Sequence, residues 1–197
     1  MRVVVDNGPG TGRRATAAKR FQPAKPATAL RAATLADAPA LHALIAAHLE
    51  EGRLLPRTLD ELAAHAARFV VATQGQRIVG CAELAPLSAT VAEVRSLVVS
   101  REARQSGLGH QMVDELGRRA GREGFTRLCA FAHDPRFFVR LGFSIVPHTW
   151  VPEKIAHDCH SCPLFRNCGQ YAIVLDVHRA QARTGAGLGA SVVSSRG

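Results

Sequence analysis

The run Arg104-Gln105-Ser106-Gly107-Leu108-Gly109-His110 has the composition of an anion cradle. It follows an apolar run, Val94–Val99, and Gly107 opens a segment with Leu108, Met112, Val113 and Leu116 at helical spacing. The first turn of a helix presents unpaired N–H groups and the positive end of the dipole, which suit a phosphate. Glycines let the backbone approach the anion closely, and Arg101 and Arg104 add positive charge beside it. No Gly-Lys-Ser/Thr follows, so the spacing is not that of a P-loop, and the three glycines of a dinucleotide fingerprint are missing. The competing reading is a helix that starts on two glycines in order to pack closely.

Two further groups of residues carry chemistry. Glu93 and Arg95 are two apart in a strand-like run, so their side chains share one face. That face is either a site or a solvated sheet surface with a local ion pair. Cys159, Cys162 and Cys168 have C-x2-C-x5-C spacing, and such a knuckle can wrap zinc or iron. Three thiolates need a fourth ligand, for which His157, Asp158 and His160 are near in sequence. Reduced thiols or an oxidised cysteine pair are the alternative. Cys81 and Cys129 sit in apolar runs and read as small core residues.

The elements that must position these residues follow from periodicity and caps. Leu30–Ala33 is a short first strand. Thr34 caps a helix with Leu41, Leu44, Ile45 and Leu49 on one face, running to about residue 51. Thr58 with Glu61 forms a capping box for a second helix reaching about Arg68. Strands are predicted at Phe69–Thr73, Arg77–Leu84, Val91–Val99, Arg127–Phe131, Phe143–Val146 and Tyr171–Val177. The Gly107 helix and a short one at Phe137–Leu141 lie between them, and residues 147–170 read as irregular. Helices interleaved with strands indicate a mixed-sheet α/β domain.

The chain has 197 residues and a formal charge of +9, of which +5 lies in residues 1–28 and +3 in 178–197. Residues 29–177 therefore carry only +1, and a specific nucleic-acid partner is not expected. The Gly-, Pro- and Ala-rich 1–28 and the Gly-, Ala- and Ser-containing 178–197 read as disordered tails around one domain, 29–177, with the cysteine insert at 148–170. No apolar run approaches the ~18–20 residues of a membrane span, and the N-terminus does not resemble a signal peptide. A cytoplasmic protein without membrane association is expected.

Arg104-x-x-Gly107-x-Gly109 after a strand, with Phe137-Phe138-Val139-Arg140-Leu141-Gly142-Phe143 downstream, resembles the GNAT superfamily of N-acetyltransferases over residues 29–147 and 171–177. That resemblance implies a GNAT-like fold with a mostly antiparallel sheet and flanking helices. It implies acetyl-CoA as co-substrate, its pantetheine arm pairing with Leu97, Val98 and Val99 like an added strand. The pyrophosphate would rest on the backbone of Arg104, Gln105, Ser106, Gly107, Leu108 and Gly109. Transfer would be direct, with the Leu97 N–H stabilising the oxyanion.

Ala92–Val99, Glu51–Thr58, Val79–Leu84 and the closing strand are similar to segments of N-acetylglutamate synthases, which acetylate an α-amino group in arginine biosynthesis. This implies Glu93 as general base, and Arg57, Arg95 and Ser96 lining the amino-acid site. Arginines suit a substrate with carboxylates. Lys154 and Arg166 of the insert would add carboxylate contacts. Where many GNAT enzymes carry a tyrosine that protonates the leaving thiolate, this chain has Phe138, which agrees with the glutamate-acetylating branch and leaves the acid open; His133 is a candidate. The arginine-binding kinase-like domain of long synthases is not expected here. A homodimer is expected. Another amine acceptor, or a metal- or redox-sensing module on the same scaffold, are the alternative functions.

Overall fold

The computed structural model describes residues 27–52 and 54–178, with the side chains of residues 51, 52 and 166 left aside. Of the expected tails (1–28 and 178–197), residues 1–26 and 179–197 thus lie outside the described residues, as do Arg53 and the Arg166 contact.

The chain runs β1 (Thr28–Ala32), α1 (Ala38–Ala46), α2 (Leu49–Gly52), α3 (Leu59–Ala64), β2 (Phe69–Gln74), β3 (Arg77–Pro86) and β4 (Val91–Val99). It continues through α4 (Leu108–Arg122), β5 (Arg127–Ala132), α5 (Arg136–Arg140), β6 (Ser144–Val146), α6 (Pro152–His157) and β7 (Tyr171–Asp176). The seven strands form one sheet in the order β1-β2-β3-β4-β5-β7-β6. All neighbours are antiparallel except β4 and β5. The mixed α/β expectation holds.

The first helix stops earlier than its apolar spacing predicts, and His48 explains the stop. In a continued helix the His48 N–H would donate to the Leu44 carbonyl. Instead the His48 ring takes that carbonyl at 2.8 Å, and the backbone N–H donates to Ile45 at 3.0 Å. A side chain has outcompeted the helix ladder for its own acceptor. The Thr58 box forms only by half. Thr58 Oγ1 accepts from the Glu61 N–H at 3.2 Å, while the Glu61 carboxylate goes to Arg57 instead. The insert is also less irregular than predicted, because Pro152 at the first turn starts α6.

Both sheet faces are covered. On one, α4 buries Leu108, Met112, Val113, Leu116 and Ala120 against Ala92 and Val94. Burying each large side chain contributes about 1.5–3 kcal/mol. On the other, α1 and α3 bury Leu41, Ile45 and Leu62 against Phe69, Val71, Cys81 and Val98. A smaller cluster of Val91, Cys129 and Val151 lies under the insert. Cys81 and Cys129 are fully buried, as expected from their apolar runs. Burial pushes the Cys81 thiol up to about 12 and raises that of Cys129 well above its usual range. Among the described residues no helix is long and apolar enough to cross a membrane.

Candidate active site

The site begins where β4 loses its neighbours. β5 pairs with β4 only at Val91, Ala92 and Glu93, and the two strands then splay apart as expected. On the β3 side, Glu83 pairs with Arg95 and Cys81 with Val98, so β4 carries one extra residue across this stretch. The bulge centres on Ser96, whose φ of 48° is left-handed. It has two consequences that alternation alone did not predict. Ser96 and Leu97 have no register partner in either neighbouring strand. The parity of the strand also switches, so Ala92 and Val94 face α4, and so do Leu97 and Val99 beyond the bulge. A backbone segment released from both ladders, as at Leu97, is what an oxyanion donor requires.

Beyond Val99 the chain makes the anion turn. Gln105 (φ 60°) and Gly107 (φ 80°) are both left-handed, and Gly107 caps the fifteen-residue α4. Successive amides in such a turn form a nest suited to an anion. A Cβ added at Gly109 would lie 3.3 Å from Phe137 Cζ and 3.9 Å from Val99 Cγ2, so the turn is tight against α5 and β4. A cavity of about 370 Å³ opens here, lined by Leu97, Val98, Val99, Arg104, Gly109 and Phe137 together with His48 and Leu54. Five of the residues expected to hold the donor thus line this cavity. Arg104 Nε donates to the Val99 carbonyl at 3.1 Å, which ties the turn to the strand end.

On the opposite face is an ion-pair network. Glu93 is 4% exposed, and its Oε2 accepts from Arg95 Nε at 2.6 Å. Lys154 Nζ of α6 lies 2.9 Å from both Glu93 oxygens and 2.8 Å from Asp158 Oδ2. Arg95 Nη2 also donates to Asp158, whose other oxygen lies 2.8 Å from His157 Nδ1. Burial alone would lower the Arg95 pKa, but Glu93 and Asp158 outweigh it and raise it above the ordinary arginine value. Burial alone would raise the Asp158 carboxyl; hydrogen bonds from Lys154 and His157 bring it below the usual range. Lys154 also stands 5.2 Å from the Phe131 ring centroid.

A second group adjoins the bulge. Arg57 Nη1 donates to Glu83 Oε2 at 2.8 Å and to Ser96 Oγ at 3.1 Å. Its Nε lies 2.8 Å from Glu61 Oε1 but is misaligned for a hydrogen bond, leaving an ion pair. Glu83 is 1% exposed. Burial lowers the Arg57 pKa, and the Glu83 and Glu61 carboxylates more than reverse this. The structure therefore brings Arg57, Glu93, Arg95 and Ser96 to one stretch of sheet. It adds two acids the sequence reading assigned no acceptor-site role, Glu83 and Asp158, and it engages both arginines with carboxylates. Glu83 carried one signal in the sequence: an acid within an otherwise apolar strand, Ile78–Ala85, is costly to bury without a cation.

The metal expectation is corrected. Cys159, Cys162 and Cys168 are free and partly buried. Among the described residues no group of three or more His, Cys, Asp or Glu is placed to hold a metal ion. The spacing suggested a knuckle, but Cys159–Ser161 forms a 3-10 turn and Cys168 turns its Sγ toward Gln170 Oε1 at 3.6 Å. Asp158, the nearest acid, is committed to Lys154 and Arg95. His133 stands beside the insert, its Nδ1 3.7 Å from the position of a Cβ at Gly169. Phe138 is buried and packs edge-on against Phe137 and Phe143.

A mixed sheet split beside a glycine-lined anion turn defines an N-acyltransferase scaffold. Residues 65–145 match the acetyltransferase (GNAT) domain family. An uncharacterized N-acetyltransferase from Chlorobaculum tepidum is 31% identical over 147 residues, 75% of this chain and 95% of its own length. The chain belongs to the GNAT acetyltransferase family. The amino-acid acetyltransferase of Neisseria meningitidis is 29% identical over 134 residues, 67% of this chain and 31% of its own. The N-acetylglutamate synthase of Neisseria gonorrhoeae, solved with coenzyme A and N-acetyl-glutamate, superposes with a TM-score of 0.69 at 27% identity. That match covers 77% of this chain and 35% of the synthase. The chain thus spans about a third of the length of these amino-acid acetyltransferases.

Proposed function

We propose that this acetyltransferase moves the acetyl group of acetyl-CoA to the α-amino group of an amino acid, L-glutamate first among them, as in the opening step of arginine biosynthesis. The observation that carries the reading is the cavity at the β4/β5 split, which joins the released Leu97 segment to the anion turn at 104–109. The pantetheine arm would lie along Leu97, Val98 and Val99, and the pyrophosphate on the amides of residues 104–109. The Leu97 N–H would meet the oxygen of the tetrahedral intermediate.

On the acceptor side, an α-ammonium would take over from Lys154 on Glu93, exchanging one ammonium for another. Lys154 and Arg95, released in part, would then pair with the substrate carboxylates, with Arg57 and Ser96 bounding the pocket. Glu93 holds the ammonium and is the expected acceptor of its proton. Both likenesses to amino-acid acetyltransferases support the choice of acceptor.

A different amine, one without carboxylates, is the second reading, and a charge count favours it. Glu61, Glu83, Glu93 and Asp158 face Arg57, Arg95 and Lys154, so the ion-pair groups hold four acids to three cations. A thiol-release assay with acetyl-CoA and a panel of amino acids, polyamines and peptides separates the two. Turnover with glutamate is the expected result. Turnover confined to polyamines or peptides would transfer the assignment to the second reading.

A further inference from the structure

His48 does more than stop α1. Its Nδ1 lies 2.8 Å from the Leu44 carbonyl oxygen. A carbonyl only accepts, so Nδ1 carries a proton, and in the neutral ring Nε2 is left with a lone pair. His48 also lines the cavity with Leu97, Val98 and Val99, where the thioester end of the donor would sit. Glu93 differs in this respect, since both its oxygens are held by Lys154 and one also by Arg95. Its Oε2 thus accepts from two cations and its Oε1 from one. The charged side chain that shares the cavity with His48 is Arg104, from the turn before α4.

We propose that His48 is a further catalytic residue, whose Nε2 takes a proton from the acceptor nitrogen and returns it to the sulfur of coenzyme A. The proposal rests on the acetyl-transfer reading. The acceptor ammonium first gives up one proton to the Glu93 carboxylate, which passes it to solvent. Its nitrogen then forms a bond to the thioester carbonyl carbon, and a second N–H proton passes to Nε2. As the tetrahedral intermediate collapses, the C–S bond breaks with its electron pair on sulfur. The imidazolium protonates that thiolate, leaving the amide, the free thiol and one proton in solvent. The bond from Nδ1–H to Leu44 fixes the ring, the part an orienting third group plays for a catalytic base.

His48→Asn separates chemistry from structure, because the asparagine amide can still donate to Leu44 but holds no basic nitrogen. The variant should lose about 10²–10⁴-fold in kcat. Its acetyl-CoA affinity by calorimetry should stay within about threefold of wild type. The low-pH limb of the wild-type kcat profile should disappear, and added imidazole should restore part of the rate to His48→Ala. Unchanged kcat and pH profile in His48→Asn, or a loss confined to acetyl-CoA affinity, would overturn the proposal. Nitrogen NMR of histidine-labelled wild type, titrated with coenzyme A, provides a readout without turnover. The His48 ring should appear as the Nδ1–H tautomer and shift on binding. Binding with unmoved His48 signals removes His48 alone, whereas no binding removes the donor assignment and the role of His48 with it.

Discussion

Lys154 Nζ sits equidistant from the two carboxylate oxygens of Glu93, 2.9 Å from each. The contact ties α6 of the insert to β4 of the sheet, across 61 residues of chain. It is also the contact an acceptor ammonium would make. Lys154→Met should therefore raise the KM of glutamate about tenfold, the equivalent of one lost charge contact, with the KM of acetyl-CoA unchanged. An amine without a carboxylate should be used better by the variant than by wild type, because its competitor for Glu93 is gone. Steady-state kinetics with both acceptors checks the pair of outcomes; a proportional loss for both would make Lys154 merely structural.

Arg57→Ala is a poor probe of acceptor binding, because it strands Glu83. That carboxylate is 1% exposed and depends on Arg57 Nη1 at 2.8 Å. Removing one partner of a buried pair typically costs about 3–5 kcal/mol. The single variant should show a large drop in urea midpoint, and Arg57→Ala combined with Glu83→Gln should recover a substantial part of it. With the fold restored, the double variant reports the acceptor contribution of Arg57 as a raised KM. Equal instability of single and double variants would show that Glu83 does not depend on Arg57.

The donor half of this site was legible in the sequence because it depends on local backbone chemistry. Gly107 and Gly109 lie five residues and fewer from Arg104, and a turn leading into an amphipathic helix is encoded within that window. The splay after Glu93 followed from the family resemblance. The acceptor half depends on contacts distant in the chain: Arg57 with Glu83, Glu93 with Lys154, Arg95 with Asp158. Periodicity carries no information about such pairs. The Ser96 bulge was equally hidden, since one extra residue in a strand alters register without altering apolar alternation on either side. The end of α1 was misread for a related reason. The His48 ring competes for a carbonyl, and apolar periodicity carries no sign of that competition.

Asp37 provides a test on acid stability. Arg31 donates to both of its oxygens, at 2.7 and 2.8 Å, and the Thr34 N–H donates at 2.7 Å. These bonds hold the carboxyl well below its ordinary value. A carboxyl depressed in the folded state stabilises the fold at pH values above about 3.9, its unfolded pKa, and loses that contribution as pH falls toward the folded value. Wild type should therefore exceed Asp37→Asn in urea midpoint at pH 6. The gap should narrow progressively as pH falls below about 4. A gap that is no smaller at pH 2 than at pH 4 would assign the difference to packing rather than to charge.

Gly109 sets stability against donor binding. It lies in the first turn of α4, and in a helix interior alanine is favoured over glycine by up to about 1 kcal/mol. Its missing Cβ would come within 3.3 and 3.4 Å of the Phe137 ring and 3.9 Å of Val99. Phe137 is only partly buried and can yield by a few tenths of an ångström, so Gly109→Ala should melt no lower than wild type. The methyl, however, projects at the wall of the cavity that Gly109 shares with Leu97 and Val99. A close backbone approach to the anion is the reason for glycine in such a turn. Acetyl-CoA affinity by calorimetry should fall about tenfold, and Gly109→Val should abolish it. Undiminished affinity in Gly109→Val would move the pyrophosphate away from this turn.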